Sequence, residues 1–337
     1  MRKIITIVLV GIMAVTMFAG CSTSQPAQDQ QTSQDQQTAQ PTKTYKIGIN
    51  NFGLANFFAR IGKDTMESEI AKQGAECVAS VTADVNSRTA AIEDMISQGV
   101  DAIIIQEGDI SQVAPALQEA KDKGIVIASL GAGDDPDFVD LYVASNETEF
   151  GTLAAEQMVK FMGGKGKVCE IYNDAGAMIR MRKDAMHEVI KAYPDITVPY
   201  GFVYAWPDFF PDIKAKMEAL IQAHPNPGDI AGVFATFDGA GYASAAAFRE
   251  AGLQDSVVIV GIDGDPEAYK EMALPDSPFK ATVAQDPATM AVDVVQGVID
   301  ILNGKQVERT IEVPGVVVTK DNLAEMMAKT GDDSQSQ

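Results

Sequence analysis

The residues whose types could form a site lie where the first apolar run of the chain ends. Asn51 closes that run, and Phe57 and Phe58 open the helical pattern that follows it. Aromatic rings can cover the apolar faces of a small molecule, and amide groups can hydrogen-bond its polar rim. Between Asn51 and Phe58 there is no general base, nucleophile or metal ligand. This stretch therefore indicates binding and not catalysis.

Motif searches along the rest of the chain give the same result. The sequence contains no Gly-x-Ser-x-Gly, His-Glu-x-x-His or P-loop pattern. Gly131 and Gly133 follow an apolar run as in a dinucleotide-binding loop, but an acidic segment comes next instead of a helix. His187 and His224 have no Cys or His at metal-ligand spacing. We expect a protein that is not an enzyme and that has no cofactor and no metal site.

Charge narrows the range of partners. The formal net charge is −21 at pH 7, and no basic patch occurs along the chain. Nucleic acids and anionic lipid surfaces require clusters of Lys and Arg that face phosphate groups. The charge balance therefore argues against nucleic acid as a partner, and most of the acidic residues are expected on a solvated surface.

The elements that must position these residues alternate between apolar runs and helical patterns, which predicts parallel sheets with helices on both faces. The run 100–105 is apolar on both faces, as a central parallel strand must be. The predicted strands are 45–50, 76–81, 101–106, 125–130, 141–145, 167–172, 197–203, 230–236, 257–263 and 279–285.

The alternation changes at three places, near residues 141–151, 279–286 and 310–316. Three extended crossings would divide the globular part into two α/β lobes. The first lobe is predicted as 44–145 completed by 286–309, and the second as 148–281 completed by 312–330. Such crossings form a hinge, and the cleft between the lobes would enclose a small ligand.

Both ends of the chain are predicted to lie outside the fold. Residues 1–21 have a basic start and an apolar run that is short for a bilayer span, as in a signal peptide. The ending Ala19-Gly20-Cys21 resembles a bacterial lipobox, although Phe18 stands where Leu is usual. Cys21 would then be the lipid-attachment site, and an ordinary secretory signal is the alternative. Residues 22–43 are read as a disordered tether and 331–337 as a disordered tail.

A set of motifs in order gives a more specific resemblance. They are Tyr45-Lys-Ile-Gly-Ile, Val100-Asp-Ala-Ile-Ile-Ile, Lys123-Gly-Ile-Val-Ile-Ala, Val143-Ala-Ser-Asn, Val233-Phe-Ala-Thr-Phe-Asp, Val260-Gly-Ile-Asp-Gly and Ala281-Thr-Val-Ala-Gln-Asp-Pro. In this order the chain from 44 to 318 resembles the ribose/galactose group of periplasmic-type sugar-binding proteins, the solute receptors of ABC importers. The resemblance implies two doubly wound parallel-sheet lobes with a three-segment hinge, the type I periplasmic binding protein fold. It also implies a monomer, an ABC permease as partner, and an extracytoplasmic location with a lipid anchor on the membrane.

The resemblance also implies a set of ligand-binding residues. The positions that match the family's motifs are Asn51, Phe57, Phe58, Asp84, Arg182, Trp206, Phe237, Asp238, Asp263 and Gln285. Glu107 and Asp109 follow another strand, and we do not include them in this set. Two departures stand out. A segment that often carries Asp-Arg reads Leu130-Gly-Ala-Gly here, and Phe237 replaces an amide. The first change removes a charged clamp and should leave room, and the second makes the site less polar, so we expect a sugar or polyol other than ribose.

Several alternatives remain open from the sequence. Phe58 lies on the apolar stripe of its helix and could belong to the core. Asp263 could serve a turn or a helix cap, Arg182 could lie on a solvated helix face, and Trp206 could fill a loop. The ligand could also be a nucleoside or a cation held by cation–π contacts. The partner could be a sensor or chemoreceptor in place of a permease.

Overall fold

Two layered α/β lobes make up the part of the chain that the computed structural model describes, residues 44–173 and 176–330. The strands are β1 Lys46–Phe52, β2 Glu76–Thr82, β3 Ala102–Gln106, β4 Val126–Leu130, β5 Leu141–Ser145, β6 Gly166–Tyr172, β7 Ile196–Val203, β8 Gly232–Ala235, β9 Val258–Asp263, β10 Phe279–Ala284, β11 Thr310–Val313 and β12 Val316–Thr319. The helices are α1 Phe57–Lys72, α2 Val85–Ser97, α3 Ala114–Asp122, α4 Glu147–Met162, α5 Ala177–Ile190, α6 Phe209–Ala223, α7 Asp238–Glu250, α8 Pro266–Ala273, α9 Pro287–Leu302 and α10 Leu323–Lys329.

The first sheet has the strand order β11-β5-β4-β3-β1-β2, and all of its strands are parallel. Its central strand β3 is buried along its whole length, in agreement with an apolar run on both faces. Helices α1 and α9 contribute Met66, Ile70 and Val294 to the core on one face, and α2 and α3 contribute Ile92 and Leu117 to the core on the other. Each face of the sheet is therefore covered by helices.

The second sheet repeats this design with the order β12-β10-β9-β8-β6-β7. Its strands are parallel except for β12, which pairs antiparallel with β10. Helix α4 supplies Phe150 and Met158 to one core, and helices α6 and α7 supply Met217 and Phe248 to the core on the opposite face. The predicted class, two doubly wound parallel-sheet lobes, is confirmed.

Three connections carry the chain between the sheets. They lie between β5 and α4, between β10 and α9, and between β11 and β12. The third differs in detail from the sequence interpretation, which ended the first lobe at residue 309. Strand β11 still belongs to the first sheet, because Thr310 to Val313 pair in register with Tyr142 to Ser145 of β5. The segment 310–319 therefore contains two short strands, one in each sheet, joined at the crossing.

The predicted signal peptide 1–21 with Cys21, the tether 22–43 and the tail 331–337 lie outside the described residues. Within the described ranges, none of the helices combines the length and the apolar character that a bilayer span requires.

Candidate ligand-binding site

A cavity of about 110 Å³ lies at the carboxyl ends of both sheets. In doubly wound folds this edge is where ligands bind, because the loops and helix starts converge there. The wall residues of the first lobe are Phe52, Asn56, Phe58, Glu107 and Gly108. Those of the second lobe are Asn173, Gly176, Met178, Ile179, Arg182, Tyr204, Trp206, Phe237 and Asp263. Gln285 comes from the connection after β10. Both lobes thus form the walls of a single site.

Arg182 is the centre of the polar wall. It lies on α5 with 2% of its surface exposed. Its Nε donates to Glu147 at 2.5 Å, and its Nη1 donates to Asp263 at 3.1 Å and to the carbonyl of Thr236 at 2.8 Å. Burial opposes the charge, but the two carboxylates together raise the pKa of Arg182 above its ordinary value. The guanidinium is therefore a fixed cation, and charge-assisted bonds hold its plane in place.

Asp263 and Gln285 continue this network toward the connection between the lobes. Gln285 donates from Nε2 to Asp263 at 2.7 Å, and its Oε1 accepts a hydrogen bond from Ser145 at 2.8 Å. Asp263 has a φ of 137°, a backbone conformation that L-residues seldom adopt and that is common at binding sites. Burial raises the pKa of Asp263, and the bonds from Arg182 and Gln285 act against that rise. The carboxylate accepts from both partners through Oδ1.

Glu107 places a second carboxylate on the cavity wall, from the first lobe. It follows β3 and has a φ of 56°; among the described residues, only Asp263 and Glu107 are non-glycine residues with positive φ. Its Oε1 accepts from Nδ2 of Asn56 at 2.9 Å, while Oδ1 of Asn56 accepts from the backbone of Ala59 and so caps α1. Burial raises the pKa of Glu107 to about 7. The Asn56 cap thus connects the start of α1 to an acidic group in the site.

Aromatic rings form the remaining walls. Phe52 and Phe58 come from the first lobe, and Tyr204, Trp206 and Phe237 come from the second. The Phe237 ring lies 4.9 Å from Tyr204 and 6.4 Å from Trp206, measured between ring centroids. Because these rings pack against one another, their orientation is fixed before any ligand enters. Such rings can cover the C–H faces of a small polar molecule.

The structure brings six of the ten predicted site residues to this cavity: Phe58, Arg182, Trp206, Phe237, Asp263 and Gln285. For Phe58, the alternatives of core packing and cavity wall both apply, because the ring belongs to the core on the α1 face and also lines the cavity. Arg182 is buried and not on a solvated face.

The other four predicted residues do not line the cavity. Asp84 is exposed and caps α2, where its carboxylate accepts from the backbone of Ser87 at 2.9 Å. Asp238 is fully buried and accepts from the backbones of Gly264 and Asp265 and from the hydroxyl of Thr282. The carboxylate of Asp238 therefore braces the turn after β9, and its burial raises its pKa well above the ordinary value.

Asn51 and Phe57 are the remaining two. Asn51 is fully buried in β1, and its amide donates to the carbonyl of Ser80 on the neighbouring strand at 3.4 Å. Phe57 opens α1 next to the cavity-lining Phe58, and consecutive helix residues point about 100° apart, so only one of the pair faces the site.

The free space that we expected at the segment Leu130-Gly-Ala-Gly after β4 is occupied by other side chains. A side-chain Cβ at Gly133 would lie 2.8 Å from Cγ of Met178, and one at Gly131 would lie 3.1 Å from Cζ of Phe58. The absent Asp-Arg side chains therefore do not leave room, because Met178 of α5 fills it from the opposite lobe. This end of the cavity is apolar, with Met178, Ile179 and Phe58 in its wall.

Asp109 joins the two lobes beside the cavity. Its Oδ1 accepts from the backbone nitrogen of Ala177 at 2.9 Å, and its Oδ2 lies 3.7 Å from Nη2 of Arg180. Ala177 is the first residue of α5, and Gly176 at the N-cap position has no side chain to cap it. A carboxylate of the first lobe thus caps a helix of the second lobe.

Asn56, Glu107 and Tyr204 line the cavity but are not among the ten predicted site residues. A usable signal existed for Glu107, since β3 lies beside β1 in the sheet and its carboxyl end must meet the same edge. Asn56 was recognisable as a helix start, and its second role as donor to Glu107 depends on tertiary structure. Tyr204 follows β7, and only packing shows that its ring faces the cavity.

Comparison with known proteins identifies the class. The family model described as a periplasmic binding protein domain matches residues 47–306, and the chain belongs to that family. Two lobes with a ligand cavity at the carboxyl ends of their sheets, linked by three connections, are the type I version of its fold.

Individual relatives place the chain in the ribose/galactose group of the family. It is 27% identical to the ribose import binding protein of Bacillus subtilis (strain 168), over 93% of this chain and 98% of that protein. It is 28% identical to the xylitol-binding protein of Mycolicibacterium smegmatis, over 83% of this chain and 78% of that protein. The crystal structure of an ABC transporter solute binding protein from Agrobacterium vitis with bound allitol has a TM-score of 0.80 at 27% identity, with 85% of this chain and 99% of that chain covered.

Proposed function

We propose that the protein is an extracytoplasmic solute-binding lipoprotein that captures a sugar or related polyol in the interlobe cavity and delivers it to an ABC permease. One observation carries the ligand class: a buried network of Arg182, Asp263 and Gln285 meets a wall of fixed aromatic rings within one cavity. Polyols match both features, because they present hydroxyl groups on one side and C–H groups on the other. The relatives that bind ribose, xylitol and allitol support this class.

The distribution of polar groups along the cavity wall narrows the range of possible ligands. Hydroxyl groups would meet the carboxylate, amide and guanidinium of the second lobe and the crossing. The opposite end would meet Phe58, Met178 and Ile179, which offer no hydrogen bonds apart from the weak sulfur acceptor of Met178. The ligand therefore has an apolar edge and is less hydroxylated on that side than ribose. The cavity of about 110 Å³ restricts it to a single small molecule.

A thermal-shift screen of the purified protein tests the ligand class. The panel contains pentoses, hexoses, inositols and linear polyols, with nucleosides and quaternary amines as competitors. A ligand present at 100 times its Kd adds about 2.7 kcal/mol to the free energy of unfolding and raises the melting temperature. Asp263→Asn should remove most of the shift, and Asp84→Ala should keep it, because Asp84 does not line the cavity. Shifts from nucleosides or amines alone, with none from any polyol, would overturn the proposed class.

Lipid anchoring at Cys21 is part of the same proposal. It is supported by the lipobox-like ending Ala19-Gly20-Cys21. Cells that express the protein with a labelled fatty acid should yield labelled protein in the membrane fraction, and Cys21→Ser should release it unlabelled. Equal membrane association of both forms would contradict the anchor. The protein is also proposed to be a monomer, which light scattering of the Cys21→Ser form tests directly.

Delivery to a permease is tested by uptake. A strain that lacks this gene should lose uptake of the polyol identified in the screen, at substrate concentrations near the Kd. Unchanged uptake together with a lost chemotactic or transcriptional response would identify a sensor as the partner.

A further inference from the structure

We propose that Glu107 binds a protonated amine of the ligand, so that the natural ligand is an amino polyol or amino sugar. The inference rests on the proposed function, because it refines the class of polyol that the same cavity accepts. It is carried by the charge and conformation of Glu107.

The carboxylates and guanidiniums around the cavity are unequal in number. Arg182 is shared by two carboxylates, Asp263 on the cavity wall and Glu147 behind it. Arg88 is the next guanidinium; it is held by Asn50 and the carbonyl of Gln106, behind the ring of Phe52. With Glu107, these groups comprise three carboxylates and two guanidiniums. Among these five groups there is one carboxylate more than there are guanidiniums.

The unpaired negative charge lies at Glu107. Glu107 is the acidic wall residue that has no Lys, Arg or His nitrogen within 4.0 Å among the described residues, and its hydrogen-bond donor is the amide of Asn56. An amide can donate to a carboxylate but cannot neutralise it. When the lobes enclose a neutral polyol, this charge stays buried without a counter-ion, which is costly. Burial already raises the pKa of Glu107 to about 7, in accordance with that cost.

The surroundings of Glu107 also favour a cation. Five aromatic rings line the same cavity, and ring faces attract cations. The backbone of Glu107 is held at a φ of 56°, a strained conformation that persists where the surrounding structure requires it. Gly108 next to it has no side chain, and a Cβ there would lie 2.4 Å from Nη1 of Arg88. The loop therefore packs tightly against Arg88, and Glu107 lies on the cavity wall.

Matched ligand pairs test the proposal. Binding to the purified protein is measured by titration calorimetry with sorbitol and 1-amino-1-deoxysorbitol, with ribitol and 1-amino-1-deoxyribitol, and with myo-inositol and an amino-deoxy-inositol. In each pair one hydroxyl is replaced by an amine. We expect the amine of at least one pair to bind tenfold or more tightly than its parent.

Variants then assign the effect to Glu107. Glu107→Gln keeps the shape and the acceptor for Asn56 but removes the charge, so the amine should bind roughly 10- to 100-fold more weakly while its parent polyol is little affected. Glu107→Asp keeps the charge and should retain part of the preference for the amine. Glu93→Gln removes the same charge from an exposed position on α2 and should change neither affinity.

The outcomes separate the two proposals. If parent polyols bind and no amine binds more tightly, the amine inference is overturned and the polyol function stands. The same holds if Glu107→Gln weakens both members of a pair equally, because Glu107 would then act only as an acceptor for a hydroxyl. If none of the six compounds binds and the thermal-shift screen finds no other polyol that binds, the proposed polyol class fails and the inference fails with it.

Discussion

Replacement of Arg182 by Met should destabilise the ligand-free protein by about 3–5 kcal/mol, the typical cost of removing one partner from a buried ion pair. Glu147 and Asp263 are 4% and 7% exposed, so both carboxylates would be left in the interior without their cation. The carbonyl of Thr236 would lose its bond from Arg182 as well. A loss of this size is a large share of the 5–15 kcal/mol that stabilises a typical protein.

Urea unfolding at pH 7.5, followed by circular dichroism without ligand, measures this loss. Arg180→Met is the matched control: Arg180 lies two positions away on α5 with a side chain that is 39% exposed, and its pair with Asp109 spans 3.7 Å. A partly exposed pair of this kind contributes less than about 1 kcal/mol. Adding Asp263→Asn to Arg182→Met should recover part of the stability, because one unpaired charge is removed. A loss below about 1 kcal/mol for Arg182→Met, or no recovery in the double variant, would refute the reasoning.

Three further predictions concern other positions. Burial, with a smaller contribution from Asp263, raises the pKa of Glu107 from 4.5 to about 7 on folding and outweighs the lowering by Asn56, Arg182 and Arg88, so the protonated form is favoured in the folded state. Stability without ligand should therefore fall by up to about 3 kcal/mol as pH rises from 4.5 through 7, and Glu107→Gln should abolish this part of the pH dependence in urea titrations. Asp84→Ala should cost about 1 kcal/mol in unfolding experiments through loss of the α2 cap while leaving ligand affinity within a factor of two; a large affinity loss would restore Asp84 to the site. Gly133→Ala should weaken ligand binding because its Cβ meets Met178, with recovery in the double variant with Met178→Ala; unchanged affinity in Gly133→Ala would show that the contact is dispensable.

Much of the fold could be predicted because buried strands and helix faces require apolar residues at regular positions in the sequence. Strand β3 is covered on both faces, and accordingly it is apolar from Ala102 to Ile105 and ends in a single polar residue, Gln106. The end of the first lobe was harder to place. Strand β11 has only four residues, none of them buried, and its pattern does not reveal which sheet it joins.

The site was predictable where a motif fixes a position and less so where side-chain direction decides. Phe57 and Phe58 are chemically identical neighbours, and only helix rotation determines which one lines the cavity. Asp84 and Asp238 have the right chemistry at strand ends, yet local backbone donors use their oxygens. Sequence patterns cannot distinguish a carboxylate that caps a helix from one that faces a ligand, since both follow strands.

A continuous chain of hydrogen bonds runs from Ser145 through Gln285, Asp263 and Arg182 to Glu147. Ser145 ends β5 and Glu147 begins α4, so the two ends of this chain lie on either side of the same interlobe connection. A ligand group that binds Asp263 in place of Gln285 must also affect the hydrogen bond between Gln285 and Ser145 at the crossing. By thermodynamic reciprocity, a substitution at Ser145 that shifts the balance between lobe arrangements changes ligand affinity, and the ligand changes the free-energy effect of that substitution by the same amount. Selection for a new ligand can therefore favour substitutions in the hinge, and substitutions in the hinge can change ligand specificity.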